Sequence, residues 1–417
     1  MLLTSHMNSV ATHEQDRAAK TLQVEIERIL PGGVGLAHAE DLTLFVALAA
    51  PGDIVRIVVD RIQGKVGFAS VVEIVKPSPV RVEPPCPYFG RCGGCDFQQL
   101  TYEAQLNAKV EIIRDCLRRI ARIESPLDIQ IHPSPKQWQY RARATWQFDS
   151  ITSRLGYFER GSNDVCDVEY CAVLVPELQQ TLEEVRKEIH ADPVTQLPRH
   201  IEVVAGDEGV SVAANVARFN ARTVSRVIGN ETYHFSAEGF FQINHELLEP
   251  LITEAIGGTK GGVAIDLYCG VGLFTLPLAR RFELVVGIEA NRRAVEFARR
   301  NVELAGLGNA EVVALSVADW LKQHLAFEPI DFLLLDPPRS GAENAVIEGI
   351  LKLLPRRIAY VSCDPATLAR DLKKLMARGY SLQTLAAFDM FPQTHHVETV
   401  AHLRLEGQEQ LLDTLLL

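Results

Sequence analysis

Residues 266–272, Asp266-Leu-Tyr-Cys-Gly-Val-Gly272, follow the apolar run Gly-Gly-Val-Ala-Ile. A strand that ends on a carboxylate and turns through two glycines into a helix makes a ligand-facing loop, because glycine lets a ligand approach the backbone. Outward from this loop, GGVAIDLY, LVVGIE, AEVVAL, IDFLLLD and RIAYVSC alternate with helices starting near Leu273, Arg292, Asp319, Glu343 and Pro365. SLQTLAAFD and HVETVAHLRL close the series. The alternation predicts an α/β fold: a Rossmann-like, mostly parallel sheet covered on both faces, with ligands at the carboxyl ends of its strands.

The same loop narrows the ligand. A dinucleotide fingerprint wants a third glycine where Thr275 stands, and Asp266 repels a pyrophosphate. Glu289 ends the next strand, placed to accept hydrogen bonds from two ribose hydroxyls. A neutral or cationic nucleoside satisfies both acids, which points to S-adenosylmethionine. Asp336-Pro-Pro-Arg-Ser-Gly341 ends the fourth strand; its prolines fix φ and remove donors, and Asp336 projects toward the ligand edge. Cys363 ends the fifth strand just before a helix from Pro365, whose N-terminus is expected to stabilise a thiolate. Glu398 begins the last strand and reaches the same edge.

At 417 residues the chain calls for two or three domains. A net charge of −11 argues against a uniformly basic nucleic-acid coat, yet phosphate binding depends on local patches. The first twenty residues lack the apolar core of a signal peptide, and eighteen apolar residues never run without a charge. The expectation is a cytoplasmic protein with no membrane contact, starting at Met1 or Met7. Its eight cysteines then suggest metal binding or catalysis rather than a disulfide scaffold.

Residues 22–76 read as five short strands separated by PGG, ED, APG and QGK turns, a small β-barrel of the kind that can offer a face to single-stranded nucleic acid. Cys86-Pro-Tyr-Phe-Gly-Arg-Cys-Gly-Gly-Cys95 then places three thiols within ten residues. Cys166 or Cys171 can complete a tetrathiolate, and the spacing admits zinc as well as an iron–sulfur cluster. Next, Leu106, Val110, Ile113, Leu117 and Ile120 share one face of an amphipathic helix, with Arg114, Arg118 and Arg119 toward its end. WQYRARATWQFD mixes Trp138, Tyr140 and Trp146 with Arg141 and Arg143, a combination that suits either base stacking and phosphate contact or a half-buried strand.

In order, FFQIN, DLYCGVGLFTLPLA, LLLDPPRSG, YVSCDPATLARDL and FPQTHHVE resemble the RNA uracil-5-methyltransferase family, and together they cover most of 238–400. The resemblance implies a class I methyltransferase domain at 236–417, preceded by a tail at 1–20, an OB-like TRAM β-barrel at 21–80 and a central α+β iron–sulfur domain at 81–235. It implies Cys363 as nucleophile toward uracil C6 and Glu398 as general base. Gln242, Tyr268, Glu289 and Asp336 would line the S-adenosylmethionine site, and Phe240 would pack against a flipped uracil. Cys86, Cys92, Cys95 and Cys171 would hold a 4Fe-4S cluster with a structural role. Barrel and cluster together resemble the branch acting on 23S ribosomal RNA, with a monomeric enzyme implied; transfer RNA is the alternative substrate. Two further alternatives are an amino-group methyltransferase that spares Cys363 and a non-catalytic RNA-binding or redox-sensing protein. Leu273 and Asp364 depart from the family pattern, the first at a cofactor contact and the second by adding a charge that raises the thiol pKa.

Overall fold

The computed structural model describes residues 21–124, 128–191, 197–213, 221–323 and 329–406; the expected tail at 1–20 and the alternative starts lie outside them. The chain divides into two compact units, one containing residues 21–28 and 34–79, the other 29–33 and everything from 80 on.

In the first unit, Thr21–Glu25 pairs antiparallel with Ile54–Gln63, which pairs antiparallel with Val66–Lys76. Val66–Lys76 runs parallel to Leu42–Ala47, and this strand pairs antiparallel with Gly35–Ala39. The Glu27 N–H donates to the Leu36 carbonyl at 2.8 Å and joins the two ends of the series. Period-two apolar residues fill the interior, among them Val24, Leu44, Val46, Val55 and Ile57.

Among the described residues the second unit has two large sheets and a two-stranded one, Val224–Ile228 with Glu231–Phe235. An antiparallel sheet runs in the order Val165–Asp167, Arg154–Phe158, Arg143–Asp149, His200–Gly206, Gly209–Ala213. Helix Pro176–Ala191 covers it, burying Leu178, Leu182 and Val185 against Trp146, Leu155 and Ile201. Of the two readings of this stretch, burial favours the half-buried strand for Trp146, 0% exposed, and Tyr140, 2% exposed. Ala144, Trp146 and Phe148 alternate inward along their strand and join the core, whereas Trp138 is half-buried.

The larger sheet has eight strands in the order Ala310–Ala314, Phe282–Glu289, Gly261–Leu267, Phe332–Leu335, Arg357–Ser362, Glu398–Leu405, Tyr380–Phe388, Gln130–His132. The first five are parallel, and Glu398–Leu405 enters antiparallel. Gln130–His132, missed in the sequence because three residues carry no periodicity, adds a final parallel strand. On one face, helix Tyr102–Cys116 lays Val110, Ile113 and Cys116 against Leu368 and Leu372 of helix Pro365–Met376. Its neighbours Arg118 and Arg119 pair with Asp115. Among the described residues no helix is long and apolar enough to cross a membrane.

Candidate active site at the sheet edge

The carboxyl edge of the large sheet gathers the acids the sequence singled out. Asp266 is fully buried, and the Thr275 hydroxyl donates to its Oδ2 at 2.5 Å. The residue standing where a dinucleotide loop has glycine thus orients this carboxylate. Asp266 Oδ1 is buried without a protein partner. Burial, then the charges of Asp336 and Glu289, push the Asp266 pKa up to about 7. The loop behind it turns through Tyr268 (φ 64°), Gly270 (φ 55°) and Gly272 (φ 92°), and a Cβ on Gly270 would point into open space. Glu289 accepts the Gly270 N–H at 3.0 Å through Oε2 and the Asn291 N–H at 2.7 Å through Oε1. Both oxygens are therefore fixed at the end of their strand, each with a lone pair left for a ligand. Leu273, by contrast, is buried in the core.

The second half of the site comes from register. Phe332–Leu335 lies beside Arg357–Ser362, with Leu335 opposite Tyr360, so Asp336 leaves the sheet on the same edge as Cys363. Antiparallel pairing sets Ser362 against Thr399, so the next pair outward is Cys363 and Glu398. The Thr399 hydroxyl donates to the Ser362 carbonyl at 2.9 Å and locks that register. Gln242, buried, donates to Asp336 at 3.5 Å. Two residues before it Phe240 is 61% exposed, with the Arg143 guanidinium 5.7 Å from its ring and donating to the Gly239 carbonyl.

Electrostatics at this edge oppose charge separation. Burial, with Asp336 adding to it, holds the Glu398 carboxyl well above the ordinary range, and burial pushes Asp336 up to about 7. The Cys363 thiol is pushed up to about 12 by burial and then by Glu398 and Asp336, while Arg339 works the other way. The expected help from a helix N-terminus is corrected by Asp364: its carboxylate caps the helix by accepting the Ala366 and Thr367 N–H groups at 2.9 Å each. Those donors are engaged, and Asp364 itself adds to the upward push on the thiol.

A separate site lies in the central region. Cys86, Cys92, Cys95 and Cys171 line one cavity together with Arg141 and Tyr157, whereas Cys166 accepts from Arg91 Nε at 3.2 Å outside that lining. Arg141 Nε and the Tyr157 hydroxyl are buried there without a protein partner. Burial opposes charge on Arg141, yet Tyr140, Tyr157 and the thiols of Cys95 and Cys171 outweigh it and raise its pKa. Among the described residues no three cysteine, histidine or acidic side chains converge on a single point. Sequence reasoning missed Arg141 and Tyr157 in this role, since nothing in their spacing ties them to thiols.

A class I methyltransferase sheet with its cofactor edge is what this geometry defines. The crystal structure of the Pyrococcus abyssi tRNA (uracil-54, C5)-methyltransferase in complex with S-adenosyl-L-homocysteine matches with a TM-score of 0.71 at 26% identity, over 92% of this chain and 100% of that one. Residues 200–405 match the family described as tRNA (Uracil-5-)-methyltransferase. The chain is 32% identical to the 23S rRNA (uracil(1939)-C(5))-methyltransferase RlmD of Vibrio parahaemolyticus, over 91% of this chain and 94% of that protein. It is 34% identical to the protein of the same name from Alkalilimnicola ehrlichii, over 93% of this chain and 97% of that one. The chain belongs to the RNA uracil-5-methyltransferase family and is an S-adenosylmethionine-dependent enzyme acting on uracil C5 in RNA.

Proposed function

We propose that this chain makes 5-methyluridine in 23S ribosomal RNA, with Cys363 as nucleophile and Glu398 as general base. The register that sets Cys363 opposite Glu398, with Asp336 on the neighbouring strand end, carries the reading. The ribosomal substrate rests on relatives named for 23S rRNA at 32–34% identity over more than nine-tenths of the chain, above the 26% of the transfer-RNA enzyme.

Uracil C5 is a weak nucleophile. Cys363 gives up its thiol proton to solvent as its sulfur adds to C6, forming an S–C6 bond and moving the C5=C6 electrons into an enolate, which makes C5 nucleophilic. When bound, S-adenosylmethionine supplies the electrophilic methyl group. Gln242, Tyr268, Glu289 and Asp336 would hold it; the unpartnered Asp266 Oδ1, the fixed Glu289 oxygens and the open space beside Gly270 fit such a ligand. Glu398 then takes the C5 proton; the electron pair restores C5=C6, the S–C6 bond breaks, and the thiolate leaves. A raised carboxyl pKa strengthens Glu398 as a proton acceptor in its ionised form. Phe240, exposed beside Arg143, is a platform for an unstacked base.

Cys86, Cys92, Cys95 and Cys171 are assigned to a 4Fe-4S cluster with a structural role. Thiols ringing a cavity without converging on a point, and two unpartnered donors facing them, suit a bulky anionic group with sulfide acceptors better than a single zinc ion. We further assign residues 21–80 to a TRAM-like OB barrel, 81–235 to the cluster-bearing RNA-contact domain and 236–417 to methyl transfer. Both sites are complete within one chain, which supports a monomer working in the cytoplasm, where its RNA is.

Nucleoside mass spectrometry after incubation with labelled cofactor tests the assignment. Label is expected as 5-methyluridine in 23S RNA and absent with Cys363→Ala. Label in transfer RNA alone transfers the substrate to that class, and label in neither overturns the proposal.

A further inference from the structure

The loop between the two closing strands, 389–397, delivers Glu398 to the edge, and its anchors come from outside the parallel sheet. Asp96, the residue after Cys95, accepts the His395 N–H through Oδ1 at 2.8 Å and contacts His395 Nδ1 through Oδ2 at 2.5 Å. The Asp96 and Phe97 N–H groups both donate to the Gln393 carbonyl, at 3.1 and 3.0 Å. Gln393 sits at φ 69°, a conformation a non-glycine side chain holds only when its surroundings enforce it. Gln105 enforces it reciprocally: its Nε2 donates to Gln393 Oε1 at 3.0 Å and its Oε1 accepts the Gln393 N–H at 3.0 Å. Both amides are buried, as is the Lys109–Asp389 ion pair at the loop's start. Tyr140 adds a bond to the Pro392 carbonyl at 2.8 Å.

We propose that Asp96 is a positioning residue for Glu398: by gripping His395, three residues before the base, it fixes where that carboxylate meets the C5 proton. The proposal rests on Glu398 being the general base. Asp96 acts through His395 and Gln393 rather than on the reactants directly. Its position directly after Cys95 means that the thiol segment and the base share one rigid connection. Without Asp96, S–C6 bond formation and methylation of C5 proceed, because Cys363 and the cofactor loops are untouched; proton removal is what slows.

The test is a kinetic split with a chemical readout. Asp96→Ala is expected to slow turnover about 10- to 100-fold, the size of an ångström-scale misplacement, with KM values for RNA and cofactor within about twofold. A methyl-labelled protein–RNA adduct that survives denaturation accumulates, and Asp96→Asn, which keeps an acceptor for the His395 N–H, restores most of the turnover. Gln105→Ala, which opens the second clasp, gives the same adduct and carries the test if Asp96→Ala does not fold. Turnover like the parent's, or loss of RNA binding with no adduct, overturns the proposal. Glu398→Gln separates the two levels. If it also yields no adduct, the base assignment fails; if it yields the adduct while Asp96→Ala and Gln105→Ala do not, only the positioning role fails.

Discussion

Two groups of cysteine share burial in this chain but differ in the charges beside them. Cys363 stands among carboxylates, Glu398, Asp336 and Asp364, all of which push its thiol up. Cys86, Cys92, Cys95 and Cys171 instead line a cavity with the buried Arg141 guanidinium and the Tyr157 phenol, and burial there pushes Cys92 up to about 11 and Cys95 to about 12. Burial raises thiols in both groups, but the carboxylate charges beside Cys363 add to that push, whereas the Arg141 guanidinium beside Cys95 works against it. The two proposed roles, covalent turnover at Cys363 and cluster ligation by the other four, divide along that difference in neighbouring charge.

The sharpest way to break this contrast is to exchange losses. Cys363→Ala should cut methylation by at least about 10⁴-fold while leaving iron content intact, whereas Cys171→Ala should deplete iron and leave cofactor binding in place. Iron analysis and calorimetric cofactor titration on the two purified variants check this; matching losses in both would erase the distinction. Arg141→Met should then weaken cluster retention about 10- to 100-fold, read as faster bleaching of the cluster absorbance under a chelator. Retention equal to the parent's would remove the cation from the account.

Trp146→Ala should cost about 3–5 kcal/mol in denaturant unfolding, because the side chain fills the central core. An unaltered midpoint with weakened RNA binding would return Trp146 to the surface. The smallest effect concerns pH. Asp266 and Asp336 are each raised to about 7 from 3.8, so the folded protein holds their protons more tightly than the unfolded chain. Their contribution to stability is full below about pH 4 and declines as pH rises through about 7. The cofactor-free protein should therefore show a Tm that falls between about pH 5 and pH 8, with Asp266→Asn flattening the slope. A Tm rising across that interval would contradict the assigned shifts.

The edge was legible because its residues sit at strand ends, where an alternating pattern fixes both position and direction. Asp266, Glu289, Asp336 and Cys363 follow from that order alone; Glu398 needed the closing antiparallel strand, whose register decides its neighbour. Asp364 before Pro365 is a helix-capping signal, and reading it as one shows that the amides beside Cys363 are engaged. Alternation of Ala144, Trp146 and Phe148 likewise marks a buried strand face, a stronger signal than aromatic and basic composition. What no local pattern carries is the clasp between Asp96 and His395 or the approach of Arg141 to the thiols. The first spans 299 residues and exists only once the chain has folded.

The central claim is that Cys363 bonds to uracil while Glu398 removes the C5 proton. It is tested most directly with a 23S RNA fragment carrying 5-fluorouridine, which has no C5 proton to give up, followed by peptide mapping of the denatured product. A stable methylated adduct is expected on the peptide holding Cys363, formed only with cofactor present. Absence of an adduct, or its attachment at another residue, would contradict the claim.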